Sequence, residues 1–300
     1  MSLRRIALMA ALAAPAAAQD PAPRVERFTA PGDGSSNSWI VHAPGGLIVI
    51  DLQRDRAAAA ELIERIKATG EPVAAVLLTH PHPDHIGGLD QFERAFPDAP
   101  VHAGPGTARE IRLDRMGFQK RTRQALGPAA PRAYPAPDRV FGQGETLSIA
   151  GLTIETREYG SGESVAATSY YLPGSRLLFG GDIATTGVTD FMVEGRTGPW
   201  LKQVRALRRS HPATRVLYPG HGEAGSLDRI AADQERTLHI YRRLVAAARP
   251  VNGALPPEMV REVAAQVRAA LGERPAVAAT PGLVEENVEA VARELAQARG

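Results

Sequence analysis

The chain has 300 residues, of which 44% are hydrophobic and 23% are charged; these ordinary values exclude a coiled coil, a fibrous protein and a wholly disordered chain. Because the sequence contains no cysteine, it also excludes disulfide scaffolds, cysteine nucleophiles and iron–sulfur clusters, so any metal must be held by His, Asp and Glu. The formal net charge is only +2.

The N-terminal segment 1–18 has the composition of a secretory signal peptide. Arg4 and Arg5 precede an apolar run over 6–14, and three alanines at 16–18 offer a cleavage site. The run is too short to span a bilayer, which needs roughly 20 apolar residues. We therefore expect cleavage, export to the periplasm or the outside, and no membrane anchor afterwards. Cleavage also removes the excess positive charge, which weakens the case for nucleic-acid binding.

The first half of the mature chain shows the patterns of short strands and helices in alternation. Residues 19–36, which contain Pro, Gly and Ser, indicate a tether that leads into the first strand. Beyond it, hydrophobic periodicity and turn residues predict a hairpin of strands at 39–42 and 47–51, a helix at 57–69, a strand at 73–78, a helix at 89–96 and a strand at 100–102.

The segment 105–132 is strongly basic. It holds seven Lys or Arg residues against two acidic ones, and it contains no clear stretch for the core. We expect a surface excursion. It either covers a site and attracts anionic substrates, or it is a solvated helical face.

The second half is predicted to be an antiparallel meander followed by helices. Short strand-like runs separated by glycines extend over 139–178, and apolar spacing predicts helices at 199–210, 226–248, 256–271 and 283–298. Strands and helices thus come in two successive rounds. We expect one domain over 19–250, with 251–300 as a helical extension packed on it.

A cluster of metal-binding side chains follows the strand predicted at 73–78. The sequence there reads Thr-His-Pro-His-Pro-Asp-His, so His80, His82, Asp84 and His85 lie within six residues. Such a group is costly to bury as plain core, but it provides the nitrogen and oxygen donors that zinc accepts. The motif predicts a metal site rather than a polar turn.

The same arrangement of an apolar strand, a glycine turn and a metal-binding residue occurs twice more. Asp182 follows the apolar run at 177–179 and two glycines, and His221 follows the run at 216–218 and a Pro-Gly turn. In α/β sheets, ligands gather beyond the carboxyl ends of strands. We therefore expect all three segments to build one site.

Together these residues resemble the metallo-β-lactamase superfamily over residues 28 to 245, and Asn37 and Asp51 in the predicted hairpin fit the same pattern. The resemblance implies an α/β fold, a four-layer αβ/βα sandwich of two face-to-face sheets, with a site for one or two metals at one edge. In the family's pattern, the first metal is held by His80 and His82, the second by Asp84, His85 and His221, and both by a bridging Asp182.

One position departs from the family pattern. The family usually has a Gly-His-Thr-like turn shortly before the strand that leads to the bridging aspartate, and the histidine of that turn binds the first metal. This chain has Gly-Glu-Ser there, with Glu163 in place of the histidine. We interpret Glu163 as a carboxylate ligand, as in the alkylsulfatase-like branches that use acidic ligands. The alternatives are an empty ligand position or recruitment of another histidine, of which His102 is the nearest.

A further carboxylate makes a two-metal site less positive and therefore a weaker Lewis acid. We expect two divalent ions, zinc foremost, with manganese or iron as alternatives because added oxygen ligation suits them. The implied mechanism is attack by a metal-bridged hydroxide, with Asp84 orienting it, taking up its proton and passing that proton to the leaving group. Tyr218 either donates a hydrogen bond to a developing oxyanion or serves in packing.

The substrate is less well indicated. Phe191, Met192 and Trp200 follow the bridging aspartate and either line an apolar pocket or belong to the core. We expect an exported metal-dependent hydrolase that cleaves an ester, lactone, amide or related bond in a small molecule.

Two other interpretations stay open. A sulfur dioxygenase with a single iron, as found in the superfamily, would need two histidines and one carboxylate, which His80, His82 and either Glu163 or Asp182 offer. A non-catalytic metal-binding protein is the other. The metal content of the purified chain separates them, since two zinc ions favour hydrolysis and one iron favours oxidation.

Overall fold

The computed structural model describes residues 22–32 and 34–298; the predicted signal peptide at 1–18 lies outside the described residues. Two β-sheets stack face to face, and helices cover the outer face of each sheet. The predicted four-layer αβ/βα sandwich is therefore confirmed.

The first sheet contains six strands, which lie side by side in chain order. The first three strands are antiparallel neighbours, and the third to sixth run parallel. The strands are β1 (Arg24–Phe28), β2 (Ser38–Ala43), β3 (Gly46–Ile50), β4 (Val73–Leu78), β5 (Val101–Ala103) and β6 (Arg139–Val140).

The second sheet contains five strands, with the last strand of the chain at one edge. The strands are β7 (Thr146–Ile149), β8 (Leu152–Glu158), β9 (Thr168–Leu172), β10 (Leu177–Gly181) and β11 (Val216–Pro219). Their spatial order is β11-β10-β9-β8-β7, and only β10 and β11 are parallel. The predicted antiparallel meander corresponds to β7 to β10.

The helices fall into two groups. Over the first sheet and around the site edge lie α1 (Arg56–Lys67), α2 (Pro83–Ile86), α3 (Leu89–Ala95), α4 (Pro105–Leu113) and α5 (Phe118–Leu126). Over the second sheet lie α6 (Thr197–Ser210), α7 (Leu227–Ala247), α8 (Pro257–Leu271) and α9 (Leu283–Gln297). Among the described residues, no helix combines the length and the apolar character that crossing a membrane requires.

The strand β4 shows why the sequence contains an unbroken apolar run. Ala75 and Leu77 face the core between the two sheets, whereas Val76 and Leu78 face the core under α1 and α3. A parallel strand that is buried on both faces needs apolar residues at every position. This double burial fixes the end of β4, from which the histidine motif projects.

The prediction of a tether over 19–36 is wrong for Arg24–Phe28, which forms β1 and pairs with β2. Because this segment contains many polar residues, its sequence does not show the apolar pattern that predicts a strand. As an edge strand, β1 needs few buried side chains: Val25 packs against the inter-sheet core, and Phe28 packs against the core under the helices.

The C-terminal helices α8 and α9 pack on α7 and share one buried apolar cluster with it. Val263 of α8 and Val288 of α9 are fully or almost fully buried, as are Leu238 and Val245 of α7. The proposed division between 19–250 and 251–300 stays a prediction, but these helices contribute to the same core.

Candidate metal centre

All seven predicted metal ligands lie together where β4, β10 and β11 end. Each of these strands leads into a loop or turn that directs polar side chains across the edge of the sheets. The ligands are His80 and His82 after β4, Asp84 and His85 on α2, Glu163 between β8 and β9, Asp182 after β10 and His221 after β11.

The first ligand group consists of His80, His82 and Glu163, which are all buried. Glu163 Oε1 is 3.1 Å from His82 Nδ1, and Glu163 Oε2 is 3.8 Å from His80 Nε2. The structure therefore places Glu163 beside the two histidines of the first site. His102, the alternative, lies on β5 between β4 and β6, outside the ligand groups found among the described residues.

The second ligand group consists of Asp84, His85 and His221. Asp84 Oδ2 is 3.1 Å from His221 Nε2 and 3.4 Å from His85 Nε2, and the two imidazole nitrogens are 3.4 Å apart. Asp182 lies between the groups, with Oδ2 at 3.2 Å from His221 Nε2 and 3.9 Å from His80 Nε2. Asp182 therefore lies next to both ligand groups.

Three buried polar atoms at the centre of the site are without a hydrogen-bond partner among the described residues. They are His80 Nε2, Glu163 Oε2 and Asp182 Oδ1. An unpaired buried polar atom is costly, and buried polar groups normally find a partner. Since imidazole nitrogen and carboxylate oxygen are metal ligands, a cation would satisfy these atoms, so the residues present fit a metal site.

Two glycines let the backbone approach the ligands. A Cβ atom at Gly220 would lie 1.9 Å from Asp182 Oδ1 and 2.8 Å from His85 Cε1. Gly181 has a φ of +52°, and a Cβ atom there would lie 2.6 Å from Thr79 Oγ1. Only glycine fits at these two positions without displacing the site.

Asp51 orients His85, one of the predicted metal ligands. Its carboxylate accepts hydrogen bonds from Thr79 N at 2.8 Å and Thr79 Oγ1 at 2.7 Å, and it lies 2.8 Å from His85 Nδ1. When Nδ1 of His85 donates to Asp51, Nε2 is left free for a cation. Asp51 has a φ of 61°, a strained value that the surrounding contacts maintain.

Asn37 supports the loop that carries His221. Its side-chain nitrogen donates to the carbonyl oxygens of Pro219 at 3.0 Å and Gly222 at 2.8 Å, and its backbone nitrogen donates to Gly220 O at 2.7 Å. Asn37 and Asp51, which the sequence pattern singled out without a role, therefore position ligands.

Burial sets the direction of the pKa shifts of His80 and Glu163 in the first ligand group. It lowers the pKa of His80 well below its usual range, and His85 lowers it further, which favours the neutral imidazole that binds metals. Burial also raises the pKa of Glu163, and the adjacent His82 partly offsets that effect. Burial also lowers the pKa of His82, but Glu163 and Glu194 outweigh it and raise that pKa well above its usual range.

In the second group, neighbouring charges outweigh burial. Burial alone raises the pKa of Asp84 and Asp182, but His85 and His221 hold the pKa of both carboxyl groups well below their usual range. Conversely, burial lowers the pKa of His221, but Asp182 and Asp84 together raise it to about 10. Asp84 and Asp182 are therefore ionised at neutral pH.

A cavity of about 460 Å³ opens onto the ligands, with His82, Asp84 and Asp182 in its wall. The helix α5 from the basic segment covers one side with Phe118 and Leu126. The segment 105–132 thus contributes to the site, as one of the two sequence interpretations proposed. Residues 277–280, for which the sequence showed no signal, also line the cavity.

Of the three large residues that follow Asp182, one lines the cavity and two lie in the core. Phe191 lines the cavity, while Met192 and Trp200 are each 2% exposed in the core over the second sheet. Tyr218 is not among the residues that line the cavity: its ring stacks on Phe179 with centroids 4.8 Å apart. Its contacts support the packing role over the oxyanion role.

A buried hydrogen-bond network around Asp190 favours the protonated form of its carboxyl group. Thr185 Oγ1 lies 2.5 Å from Asp190 Oδ1 and 2.7 Å from Gln234 Oε1, but a hydroxyl has only one proton to donate. Gln234 Nε2 donates to Asp190 Oδ2 at 3.0 Å. If a protonated Asp190 donates to Thr185 Oγ1, and Thr185 Oγ1 donates to Gln234 Oε1, each of these oxygen–oxygen contacts contains one proton. Burial raises the pKa of Asp190 to about 6, in the same direction.

We therefore expect Asp190→Asn to become more stable relative to wild type as the pH rises. A carboxyl group whose folded pKa is raised from 3.8 to about 6 loses stabilisation between those values, by at most about 3 kcal/mol. The amide reproduces the hydrogen bonds of the protonated acid without that loss. Melting temperatures from pH 4 to pH 7.5 measure the difference, and exposed Asp98→Asn is the control. A difference that does not change with pH would contradict a protonated Asp190.

The fold and the site together define a sandwich protein with a metal centre at the open edge of its sheets. A sequence profile of the metallo-β-lactamase superfamily matches residues 31–221, which is more than half of the chain. The chain therefore belongs to the metallo-β-lactamase superfamily, and the hydrolases below are among its relatives.

Two curated relatives and one solved structure illustrate the similarity. A hydroxyacylglutathione hydrolase of Methylobacillus flagellatus is 25% identical over 231 residues, which cover 75% of this chain and 79% of that protein. A type 2 metallo-β-lactamase of Bacteroides fragilis is 25% identical over 178 residues, 58% of this chain and 61% of that one. A β-lactamase domain protein from Burkholderia ambifaria has a TM-score of 0.67 at 18% identity and covers 94% of this chain and 87% of that one.

Proposed function

We propose that this protein is an exported hydrolase that uses two divalent cations, zinc foremost, to cleave an ester, lactone, amide or related bond in a small molecule. The observation that carries the proposal is that three buried atoms, on His80, Glu163 and Asp182, have no hydrogen-bond partner among the described residues and lie beside a cavity that Asp182 lines. The relatives named hydroxyacylglutathione hydrolase and metallo-β-lactamase support hydrolysis without selecting the substrate.

Each cation would have its own ligand group. The first would be held by His80, His82 and Glu163, the second by Asp84, His85 and His221, and Asp182 would contact both. When bound, the cations would supply Lewis acidity, which lowers the pKa of a water molecule and polarises the carbonyl oxygen next to the bond that is cleaved.

Asp84 is placed to handle the proton. It is the most exposed of the seven ligands, with 17% of its side chain accessible, and it lines the cavity. Its carboxylate oxygens have the lone pairs with which Asp84 would accept a proton from the attacking water, and it would later release that proton to the leaving group. The neighbouring His85 and His221 hold the carboxylate at that position.

The aromatic wall of the cavity shapes the space above the ligands. Phe118 and Phe191 lie with ring centroids 5.7 Å apart, and both are edge-to-face with the ring of His82. These rings exclude water from one side of the ligands and present an apolar surface to the substrate. We propose that the apolar part of the substrate contacts this wall.

Metal analysis of the mature chain tests the proposal. We expect two zinc ions per chain, hydrolysis of ester, thioester or lactone substrates, and loss of both after chelation. Removal of the ions should also lower the melting temperature, since a ligand at 1,000 times its Kd stabilises the folded state by about 4 kcal/mol. One iron per chain with thiol-dependent oxygen uptake would instead indicate a dioxygenase, and bound metal without hydrolysis would indicate a non-catalytic protein.

A further inference from the structure

The imidazole of His82 lies between two buried carboxylates. Its Nδ1 is 3.1 Å from Glu163 Oε1, and its Nε2 is 2.7 Å from Glu194 Oε1. The side chains of Glu163 and Glu194 are only 1% and 2% exposed. A neutral imidazole has one N–H donor and one free lone pair, so whichever nitrogen donates to a carboxylate leaves the other for a cation.

The surroundings of the two carboxylates show which one faces the cation. Glu163 Oε2 is unpartnered among the described residues and points to the ligand group of His80. Both oxygens of Glu194 are occupied, one by His82 and the other by the guanidinium of Arg196. Arg196 compensates the charge of Glu194 and binds one of its oxygens, which leaves the other for His82; Glu194 also lies outside the ligand groups found among the described residues.

We propose that Glu194 is a positioning residue of the metal centre: it accepts a hydrogen bond from Nε2 of His82 and thereby keeps Nδ1 turned toward the first cation. The inference rests on the proposed function, because it assumes that His82 binds a cation. Carboxylates that accept the second N–H of a metal-binding histidine fix its tautomer and ring orientation and strengthen metal binding.

The loop that carries Glu194 is held on both sides by α9. Asn287 Oδ1 accepts from Met192 N at 2.8 Å, and Asn287 Nδ2 donates to Asp190 O at 2.7 Å. On the other side, Glu294 accepts from Thr197 N at 2.9 Å. These hydrogen bonds fix residues 190–197 against α9. The carboxylate of Glu194 is thereby held in place beside His82.

The test compares the zinc affinity of Glu194→Ala and Glu194→Gln with that of the wild type, measured on metal-free protein in competition with a chromophoric chelator. We expect Glu194→Ala to bind zinc about 10- to 100-fold more weakly. Glu194→Gln keeps an acceptor for His82 but lacks the charge, so a smaller loss is expected. The absorption spectrum of the cobalt-substituted protein should change in Glu194→Ala and recover in Glu194→Gln.

Glu289→Ala is the matched control. It also removes a carboxylate, but the side chain of Glu289 is 55% exposed on the surface of α9. It should keep wild-type affinity. If Glu194→Ala fails to fold, the zinc affinity of Glu194→Gln decides, because the lost charge should weaken binding and wild-type affinity would overturn the inference. Wild-type affinity and an unchanged cobalt spectrum in a folded Glu194→Ala would overturn this inference alone. A wild-type chain that binds no zinc would overturn the proposed function, and this inference with it.

Discussion

Replacing Asp84 by Asn is expected to lower kcat by about 100- to 10,000-fold, the range that a general acid–base residue contributes. The amide keeps the size of the side chain and one oxygen near His221 and His85, but it cannot take up a proton. KM should change much less than kcat, since the apolar wall of the cavity is untouched. Initial rates at saturating zinc, together with the zinc content of each sample, measure the effect.

The control for Asp84 is Asp228→Asn, which alters an aspartate on α7 whose side chain is 80% exposed. Exposed ion pairs of this kind contribute little, so Asp228→Asn should keep the wild-type rate. Melting temperatures of metal-free samples show whether either variant disturbs the fold. If Asp84→Asn holds two zinc ions and hydrolyses its substrate within threefold of the wild-type rate, another group handles the proton.

Replacing Glu163 by Ala is expected to weaken binding of the first cation by more than about 100-fold, since the loss of a ligand should exceed the cost of losing an orienting partner. His80 would keep Asp182 as a carboxylate neighbour at 3.9 Å, and His82 would keep Glu194. The metal-free variant should stay folded, because His82 retains its contact with Glu194. Zinc content and the zinc-induced rise in melting temperature should therefore fall together.

Glu155→Ala is the control for Glu163, since it removes an exposed carboxylate from the neighbouring strand β8. It should bind zinc as the wild type does. Unchanged zinc content in Glu163→Ala would show that the carboxylate is not a ligand. Glu163→Gln separates charge from volume: the amide fills the same space, but it is a poorer metal ligand than a carboxylate.

The candidate ligands, which the structure brings together, could be predicted from local sequence because metal-binding chemistry restricts both residue type and position. His80, His82 and His85 must follow a buried strand at fixed spacing, and Gly220 must precede His221 because any Cβ would strike Asp182. Such requirements leave a pattern in a single sequence. Glu163 could be found only by comparison with the family pattern, since a lone glutamate in a loop has no signature of its own.

The supporting residues could not be predicted, because their roles depend on contacts between distant parts of the chain. Glu194 meets His82 across 112 residues, and Asn287 meets the backbone of Met192 across 95 residues. Nothing in the local sequence distinguishes these side chains from solvated ones. The same holds for residues 277–280, which become a cavity wall only when the C-terminal segment folds against the site.

The hydrogen bonds between α9 and residues 190–197 affect the order in which the metal centre forms while the chain is synthesised. A ribosome releases the histidine motif at 80–85 long before it adds Asn287 and Glu294. A nascent chain therefore displays most of its metal-binding side chains while the loop that carries Glu194 still lacks its anchors. With the role proposed for Glu194, tight capture of the first cation would therefore require that α9 has been synthesised and has packed against residues 190–197.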